Sequence, residues 1–535
     1  MRFPDFICRQ ENESWHEYFY FMGMIIISLM LPFSRLLLSS IQILLVVNWL
    51  IECRFAVKKE RFFVHRHAMY LMLVFVLFVV AMAWTYQPLD RIYVSLKDKA
   101  PFLTLPLLAA TGRPLDWQRV QAILIAFIFS VFAVSLAGFL MFVTNPEAGR
   151  TTFSPFMHHL RFGIMVVMAI FLSIWLAHKA NAPIKIKVVA WLIAIFLTGI
   201  MFLAGWITAL VAFGATIGYL LLKNIFSVKK SPTDRAFAAL ALLLSVAVTS
   251  AVLYFVAEPV FRQIPKPQIT GLERTRYGNP YYHDFDNLSL ENGHLVYWFI
   301  AEVELRKAWN DRSRLYFDGY DNQGSPYLKG TIFRYLASKG LRKDGESLNS
   351  LKDYEIRAIE NGVPNYLHTR WPGVLIRLHQ TFWEIQEYRR TGNPEGFSLA
   401  QRIELWRAAW SAFLERPIVG WGKGGVHHAM NFGLDQIQSQ WELRNIKPHN
   451  QYLLYLITLG IVGAIAVFVF MYLFIQKSGA WRFLPFQIMM VIVFSSMLGE
   501  DLLDFQEPIS FFLLFMVVFG ILLYKSNTSN IETSQ

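Results

Sequence analysis

Long apolar runs separated by short polar segments are the dominant pattern along the 535-residue chain. A helix that crosses a bilayer core about 30 Å thick needs roughly 20 apolar residues. On this basis the sequence predicts an all-α polytopic membrane protein with about twelve transmembrane helices. Their predicted limits are 18–32, 36–52, 68–85, 92–112, 118–143, 160–178, 186–203, 204–222, 236–256, 449–475, 484–500 and 507–524.

The first apolar run is predicted to be a retained span rather than a signal peptide. It lacks a short basic segment before it and a small-residue cleavage site after it, and it leads directly into the second run. The first two runs are short and could form a hairpin that turns at Pro32. The fourth run is the weakest of the twelve, because Lys97, Asp98 and Lys99 interrupt it.

The composition agrees with a membrane location. Hydrophobic residues make up 55% of the chain and charged residues 16%, against about 25% in an ordinary soluble domain. These values disfavour a soluble globular enzyme and a disordered scaffold. Most of the net charge of +12 lies in short segments between apolar runs, so no nucleic-acid partner is predicted. The two cysteines, Cys8 and Cys53, provide no disulfide framework.

Basic residues indicate how the chain is oriented in the membrane. Five alternate connections together carry sixteen Lys and Arg residues, and the opposite short connections carry only a few. The basic connections are 53–67, 113–119, 179–187, 223–235 and 477–482. Because cytoplasmic loops are enriched in Lys and Arg, this set is predicted to face the cytoplasm, as are both termini.

This orientation divides the chain into four parts. Residues 1–256 hold the first nine spans, 449–524 hold the last three, and 525–535 form a cytoplasmic tail. Residues 257–448 then lie on the periplasmic side of a bacterial inner membrane. They have ordinary soluble composition and are long enough to form a small domain, predicted to be mainly helical.

Two helices are predicted in the outer domain, at 367–390 and 398–416. The second begins with Ser398-Leu399-Ala400-Gln401, a capping-box pattern. Apolar residues then recur at helical spacing. They are Leu399, Ile403, Trp406, Trp410 and Phe413. The pattern predicts an amphipathic helix on or near the membrane surface.

Arg402 lies one position from this apolar stripe. It is either a rim arginine whose stem lies beside a buried face, or a cation at the membrane surface that faces an anionic ligand. The glycine-rich segment Gly420-Trp421-Gly422-Lys423-Gly424-Gly425 follows the helix. It lacks the Walker spacing and the Lys-Ser/Thr pair of a phosphate loop, so a flexible turn is the favoured interpretation.

The start of the tenth span is the most informative segment. His449 and Gly460 are eleven residues apart, which places them on one face of a continuous helix, and Gly463 falls on nearly the same stripe. Small residues there would let a neighbouring helix approach closely. His449 is predicted to stand at the membrane–water boundary, where an imidazole can exchange a proton near neutral pH. The alternative is an interfacial histidine that is hydrated.

Arg161 opens the sixth span on the same predicted side of the membrane. It is either an anchor at the end of a helix or a cation held for a ligand. Together with His449 and Arg402, it suggests a site for an anion and a transferable group. Glu500, Asp501 and Asp504 follow the eleventh span on this side, where structural ion pairing is favoured over contacts with sugar hydroxyls.

In these residues the sequence resembles the O-antigen ligase family and its wider superfamily of bacterial polysaccharide ligases and polymerases. His449-Asn450, nine residues, Gly460, two residues and Gly463 fit the family signature His-(Asn/Ser/Gln)-x9-Gly-x-x-(Gly/Thr/Tyr). A second similarity is the loop pattern that ends in Gly-x-Gly. It comprises Arg402, Trp406, Trp410, Pro417, Gly420, Trp421 and Gly422. The layout of twelve spans and one large outer loop also agrees.

The resemblance implies transfer of a glycan from an undecaprenyl-diphosphate carrier to a lipid A–core sugar or another glycan acceptor. It implies that His449 is the essential histidine and general base, and that Arg161 and Arg402 bind the diphosphate. Diphosphate is a good leaving group, so neither a metal nor another cofactor is predicted. The long segment 270–365 has no counterpart in this pattern, and it could recognise a particular acceptor.

Three other functions remain open from the sequence. A polymerase would join repeat units on the same carrier, but polymerases often have two comparable outer loops and this chain has one dominant loop. An O-linked oligosaccharyltransferase would use a protein Ser or Thr as the acceptor. A polysaccharide transporter is disfavoured, because related halves and broken helices near the midplane are not evident.

Overall fold

The computed structural model describes residues 8–10, 13–85, 96–145, 152–178, 183–265 and 273–523. These residues are mostly helical, as the sequence predicts. The first ten helices are α1 (Trp15–Met30), α2 (Arg35–Ile51), α3 (Phe55–Val64), α4 (Ala68–Val80), α5 (Pro101–Thr111), α6 (Trp117–Thr144), α7 (His159–Ala177), α8 (Ile184–Ala204), α9 (Ile207–Ile225) and α10 (Pro232–Phe261).

A region of shorter elements follows, and three further apolar helices end the described chain. Strands β1 (Leu290–Glu291) and β2 (His294–Leu295) pair antiparallel. The helices of this region are α11 (Glu302–Arg312), α12 (Leu328–Ser338), α13 (Gly345–Asn349), α14 (Asp353–Glu360), α15 (Gly373–Thr391), α16 (Ser398–Glu415) and α17 (Val426–Gln436). The last three are α18 (Gln451–Ser478), α19 (Leu484–Ser496) and α20 (Gln506–Val517), which continues as a π-helix over Val518–Leu522. Short 3₁₀ helices lie at Tyr366–Thr369, Ala480–Arg482 and Leu502–Asp504.

Local sequence explains where several of these helices begin and end. The side chains of Asp116 and Ser231 accept hydrogen bonds from backbone N–H groups in the first turns of α6 and α10, as N-cap residues do. Gly205 and Gly479 follow α8 and α18 in the left-handed conformation, which glycine adopts without steric cost.

Within the described residues, six helices are long and apolar enough to cross a membrane. They are α6, α7, α8, α9, α10 and α18. The bent pair α2 and α3, with an angle of 117° between its halves, could count as a seventh span. The six long helices coincide with predicted apolar runs and agree with a multi-pass membrane protein, whereas α3 lies in the basic connection 53–67.

The remaining predicted spans coincide with shorter helices, so the total of twelve stays a prediction. These are α1, α2, α4, α5, α19 and α20. Residues 92–95 of the fourth predicted span, residue 524 of the last one, the tail 525–535 and part of the connection 179–187 lie outside the described residues.

The apolar helices form one bundle with a continuous core. Helix α7 is buried along most of its length against α6, α8, α9 and α19, and α20 is buried almost completely. Helix α10, in contrast, exposes apolar side chains along nearly its whole length. An apolar surface of this extent is typical of helices that face lipid.

The region of shorter elements has two smaller cores. Trp309, Tyr335 and Leu336 are fully buried at the centre of one, within residues 296–359. The other joins α16, α17 and the start of α18. A β-carbon on Gly433 of α17 would overlap the backbone of Ala408 in α16, so a glycine is required where these two helices cross.

Helix α16 begins at the predicted residue, but the predicted capping box is absent. Ser398 is the first helical residue rather than a cap, and its hydroxyl donates to Glu384 at 3.1 Å. The buried face is lined mainly by Ala400, Leu405, Ala408, Ala409 and Ala412. Ile403 and Trp410 are 36% and 50% exposed. Phe413 of the apolar stripe is also buried, and Leu399 and Trp406 are half-buried, so the stripe lies along the edge of the buried face.

Candidate active site

His449 lies just before α18 in a backbone conformation that side chains rarely adopt. Its φ is 49°, in the left-handed region, which costs a non-glycine residue about 1–2 kcal/mol. The backbone N–H groups of His449 and Asn450 donate to the two carboxylate oxygens of Asp501, at 3.1 and 2.9 Å. Asp501 is buried, and burial raises its pKa to about 6. This carboxylate holds the backbone that presents His449.

Asn450 is the N-cap residue of α18. Its side-chain oxygen accepts hydrogen bonds from the N–H groups of Tyr452 and Leu453, at 3.0 and 3.1 Å. Its amide nitrogen donates to the carbonyl of Leu498 at 3.1 Å. A short amide side chain is well suited to this position. Asn450 therefore ties the start of α18 to the end of α19, next to the histidine.

Helix α18 is broken at Gly460, where φ is 65° and ψ is −176°. Residues 417–422, which follow α16, lie in the break and exchange backbone hydrogen bonds with its two edges. The bonds run from Trp421 to Ile457 (2.8 Å), from Gly422 to Thr458 (3.0 Å), from Ile461 to Pro417 (2.8 Å) and from Val462 to Ile418 (3.4 Å), donor first. The loop therefore uses backbone groups that the broken helix leaves free.

The motif glycines allow this close contact between backbones. Gly420 and Gly422 have φ values of 69° and 81°, and a β-carbon on Gly420 would lie 2.6 Å from the nitrogen of Gly460. A β-carbon on Gly460 would overlap the carbonyl of Ile418. Gly463 lies one turn beyond the break, where a β-carbon would approach that of Leu459 to 2.6 Å.

The prediction that His449 and Gly460 share one face of a continuous helix is wrong, and the break also removes the absence of broken helices as a reason to disfavour a polysaccharide transporter. His449 precedes the helix, and Gly460 interrupts it. A loop, rather than a neighbouring helix, approaches the small residues. The 3.6-residue repeat places residues on one face only while the helix is unbroken. The positive φ at Gly460, which glycine can adopt, interrupts the helix, so the repeat does not hold up to Gly460. The spacing in the motif instead measures the nine helical residues between the N-cap and the break.

Glu500 faces the His449 ring. The His449 Nδ1 and Glu500 Oε2 atoms are 3.6 Å apart, and the His449 side chain is 40% exposed while that of Glu500 is 5% exposed. Glu500 is the main reason that the pKa of His449 lies above its usual value, although burial opposes it. Burial alone would raise the pKa of Glu500, but His449 and Arg402 outweigh it and lower that pKa.

Arg402 lies on the same side of the site. Its guanidinium has no hydrogen-bonding or ion-pairing partner among the described residues. A β-carbon on Gly499 would lie 3.7 Å from its Nη1 atom, so the guanidinium is beside the Glu500 segment. Burial lowers the pKa of Arg402, and Glu500 opposes this effect. Trp406, one turn further along α16, is partly buried, and its indole N–H has no hydrogen bond among the described residues.

Arg161, in the first turn of α7, is the third predicted site residue. Its Nη1 atom lies 3.7 Å from Glu507 Oε2, and its guanidinium carbon lies 3.5 Å from the centroid of the Phe505 ring. The Lys447 ammonium is 4.9 Å from the same centroid. Glu500 also interacts electrostatically with Arg161. His449, Arg402 and Arg161 are thus brought together around Glu500.

A cluster of lysines beside these residues was not predicted. The ammonium groups of Lys99, Lys423 and Lys447 contact Asp504 at 2.7, 2.9 and 2.7 Å. Burial alone would raise the pKa of Asp504, but the lysines outweigh it and hold that pKa well below its usual value. Three ammonium groups thus share one carboxylate close to the segment that carries His449.

The sequence contained a signal for this cluster. Lys99 interrupts an apolar run, and a lysine in such a place is typical of a functional site. Lys423 was seen as part of the glycine-rich loop, whose backbone also bonds to Ala81 and Thr85. No local pattern, however, indicates that these lysines share one aspartate. Asp504 does pair with cations, as predicted, but with lysines rather than with arginines.

Two histidines border the site at the start of α7. The rings of His158 and His159 are in contact, with centroids 4.4 Å apart and planes tilted by 32°. Burial is the main reason that the pKa of His158 lies below its usual value, and Glu500 opposes it. Three cations lower this pKa further, namely Arg161, His449 and Arg402. His158 is therefore within electrostatic range of all three predicted site residues.

Among the described residues, no three His, Cys, Asp or Glu side chains are grouped so that they could hold a metal ion. The site instead combines one partly exposed imidazole, a carboxylate partner and several cations. This set of groups can accept a proton and bind a multiply charged anion.

Comparison with known proteins connects this geometry to a family. Residues 363–468, about a fifth of the chain, match the family model described as O-Antigen ligase. No curated protein matches the chain. The matched segment runs from the helix before Arg402 through the broken helix after His449. The match supports the resemblance seen in the histidine and arginine motifs, and it extends over residues 363–468.

Proposed function

We propose that the protein is a membrane glycosyltransferase of the O-antigen ligase type. In this proposal it transfers a glycan from undecaprenyl diphosphate to a sugar hydroxyl of lipid A–core, at the periplasmic face of the inner membrane. The family match supports a ligase or polymerase that acts on lipid-linked glycans. The observation that carries the proposal is an imidazole paired with a buried carboxylate beside a guanidinium that has no partner among the described residues.

His449 is the general base. Its imidazole accepts the proton of the acceptor hydroxyl as that oxygen attacks the anomeric carbon of the donor glycan. The bond from the anomeric carbon to the diphosphate oxygen breaks, and its electron pair leaves with the diphosphate. Glu500, whose Oε2 is 3.6 Å from His449 Nδ1, stabilises the imidazolium that forms. This is the role of the carboxylate beside the histidine in a catalytic triad.

Arg402 and Arg161 bind the diphosphate and stabilise the charge that develops as it leaves. A guanidinium presents two parallel N–H groups to a phosphate, and Arg402 has no internal partner that would compete for them among the described residues. Lys423 and Lys447 add positive charge beside the two arginines. Diphosphate is a good leaving group once neutralised in this way, so the proposed reaction requires neither a metal nor another cofactor.

The helices around the site suit a donor that is anchored in the bilayer. His449 directly precedes α18, Arg161 lies in the first turn of α7, Glu500 follows α19, and Asp504 precedes α20. Charged groups at helix ends lie naturally at a membrane–water boundary, where the diphosphate of a polyprenyl lipid also lies. The undecaprenyl chain would then remain among membrane lipids beside the bundle.

A polymerase and an O-linked oligosaccharyltransferase use the same donor chemistry with different acceptors. Deletion of the gene in its host separates these possibilities when the wild-type protein or the His449→Ala variant is returned. Electrophoresis of lipopolysaccharide is expected to show capped lipid A–core only with the intact histidine. The loss of general-base catalysis should lower the transfer rate about 10²- to 10⁴-fold.

Two results would contradict the ligase proposal. If glycan chains are not polymerised in the deletion strain, the protein is a polymerase. If lipopolysaccharide is the same in every strain, the protein is not a lipid A–core ligase. Periplasmic glycoproteins then become the acceptors to examine.

A further inference from the structure

A cavity of about 650 Å³ lies in the outer region, away from the residues of the candidate active site. Its wall comprises the end of α10 and the residues after it, the β1–β2 hairpin, Trp298 and Phe299, residues 340–343, and Gln386 of α15. Ligand-binding cavities of proteins usually have volumes of about 300–1,000 Å³. This cavity is therefore large enough for one or two sugar rings.

The side chains that line the cavity are basic but not acidic. Arg262, Arg342, Lys343 and His294 are among them, and no Asp or Glu is found among the described residues of the lining. Arg262 is paired with Glu258 and Arg342 with Glu273, each at 2.8 Å. These acidic partners are outside the lining, so the cavity surface itself presents donors and positive charge.

Lys343 is the unusual member of this set. Its side chain is buried, and its ammonium donates to the carbonyl of Leu295 at 2.7 Å. No carboxylate among the described residues forms an ion pair with it. Burial lowers the pKa of Lys343 to about 7, and nearby Asp344 opposes this only in part. A buried ammonium without a counter-ion is costly, and an anionic ligand would supply that counter-ion.

The backbone around Lys343 fixes this side chain in the cavity wall. The N–H of Lys343 donates to the carbonyl of Phe299 at 2.9 Å, and its carbonyl accepts from Ala301 at 2.8 Å. Gly340 has a φ of 72°, and a β-carbon there would lie 3.0 Å from the His294 ring. The wall is thus formed before any ligand binds, which reduces the entropy lost on binding.

Aromatic rings complete the chemistry of the wall. Trp298 is buried at the cavity, and Phe299 has a left-handed backbone with φ 54°. Arg342 stacks on the Phe299 ring, with 4.7 Å between the guanidinium carbon and the ring centroid. The aromatic rings can pack against the apolar face of a sugar ring. The neighbouring hydrogen-bond donors and cations can bind its hydroxyls and an anionic substituent.

We propose that this cavity binds an anionic sugar, a saccharide that carries a carboxylate or a phosphate, from one of the two glycans used by the enzyme. Lys343 and Arg342 contact the anionic group, and Trp298 and Phe299 contact the ring. This inference rests on the proposed function, because that function supplies glycans on this side of the membrane. It assigns a specificity role to the segment 270–365, which has no counterpart in the family pattern.

Helix α15 connects the cavity to the candidate active site. Gln386 lines the cavity, whereas Arg377, on the same helix, interacts electrostatically with Arg402. Nine residues separate them, which corresponds to about 14 Å along a helix. A short oligosaccharide can span this distance, so one glycan could reach from the reacting carbon or hydroxyl to the cavity.

The first test measures binding to the full-length protein in lipid nanodiscs. Calorimetry with glucuronic acid and with glucose 6-phosphate is compared with calorimetry with glucose. Both anionic sugars are expected to bind. Glucose should bind at least about tenfold more weakly, because a hydrogen bond to a charged group contributes about 1.5–3 kcal/mol. Lys343→Met should weaken binding of the anionic sugars by about the same factor.

Lys307→Met is the matched control, since Lys307 is an exposed lysine of the same region on α11. It should leave binding unchanged. If Lys343→Met does not fold, as judged by thermal melting, Arg342→Gln takes its place. Arg342 is 47% exposed, and its substitution should also weaken binding of the anionic sugars. Equal binding of glucose, or unchanged binding in a folded variant, would overturn the proposal.

The second test identifies which glycan supplies the sugar. In a transfer assay, a higher KM of Lys343→Met for the acceptor assigns the cavity to the acceptor, and a higher KM for the donor assigns it to the donor. Unchanged KM values for both overturn the proposed role. His449→Ala should still bind the anionic sugars. If the wild-type protein binds them but transfers no glycan, the transferase proposal fails while the cavity retains its ligand.

Discussion

Glu500 connects the residues that carry the proposed chemistry. It is 5% exposed, it faces the His449 ring, and its charge acts on both Arg402 and Arg161. A buried carboxylate between an imidazole and two guanidinium groups has two effects. It favours the protonated form of the imidazole, and it reduces the mutual repulsion of the cations before a diphosphate binds.

The pH dependence of transfer tests the first effect. The reaction needs neutral His449, so activity should rise with pH through the pKa of this residue, which lies above 6.5 because of Glu500. Glu500→Gln removes the charge and lowers that pKa. The acidic limb of kcat/KM should therefore move to lower pH, while the plateau falls because the imidazolium loses its partner.

The control for this measurement is Asp435→Asn, which neutralises a surface carboxylate that is 65% exposed. Its pH profile should match that of the wild-type protein. An acidic limb that stays in place in Glu500→Gln would show that Glu500 does not control the protonation of His449.

Arg402→Lys tests how the diphosphate is bound. Lysine keeps the charge but has no planar fork for bidentate contacts, so transfer should fall about tenfold or more, since hydrogen bonds to charged groups contribute about 1.5–3 kcal/mol each. The control is Arg407→Lys on the same helix, where the side chain is 57% exposed and paired with Glu404. Initial rates at varied donor concentration provide the measurement. Full activity of Arg402→Lys would remove this residue from the mechanism.

At the scale of elements, the broken helix α18 and the loop 417–422 form one unit. The loop connects α16, which carries Arg402, to the turn at Gly460, and the N-terminal piece of α18 connects the same turn to His449. The nine residues between the N-cap and the break therefore determine how far the base lies from the loop. A change in the backbone at Gly460 should therefore shift both the helix that carries Arg402 and the segment that carries His449.

Gly460→Ala should disrupt this unit. A φ of 65° with a ψ of −176° is a backbone conformation that essentially only glycine adopts and that costs alanine about 1–3 kcal/mol. The new methyl group would also overlap the carbonyl of Ile418. We expect a lower melting temperature in detergent and a large loss of transfer. Gly214→Ala is the control, because a β-carbon at this position of α9 meets no atom within 4 Å. Equal melting temperatures for the two variants would contradict the structural role of Gly460.

At the scale of the whole molecule, the proposed reaction requires residues 257–448 to lie outside the cytoplasm. The distribution of basic residues predicts this orientation. It also predicts that Cys53, in the connection 53–67, faces the cytoplasm. The candidate active site and the 650 Å³ cavity would then both be accessible from the periplasm.

Labelling of single cysteines tests this orientation. Cys53 is exposed, and in the Cys8→Ser background a maleimide that does not cross membranes should label it only after cells are permeabilised. The second variant, Asn349→Cys, is made in a chain without the natural cysteines and places a thiol at an exposed position of α13. This thiol should be labelled in cells in which only the outer membrane is permeable. The reverse pattern would place the proposed site in the cytoplasm and exclude a periplasmic ligase.

The sequence alone determined the mainly helical architecture, and it predicted three residues that the fold brings together around Glu500. Hydropathy is a local property, so the run at 118–143 predicted Trp117–Thr144 almost to the residue. His449 and Arg402 were identified because their motif is also local. The same reasoning could not determine which face of α16 is buried, because that depends on how closely its alanines pack against α17.

Only the tertiary structure decided how these residues meet. Lys99 and Asp504 are distant in sequence, and their ion pair exists because the fold brings the start of α5 to the end of a 3₁₀ turn before α20. The break at Gly460 likewise depends on a loop that supplies hydrogen bonds from outside the helix. Periodicity describes each helix in isolation, whereas charge pairing and backbone breaks are set by contacts between segments that no local pattern contains.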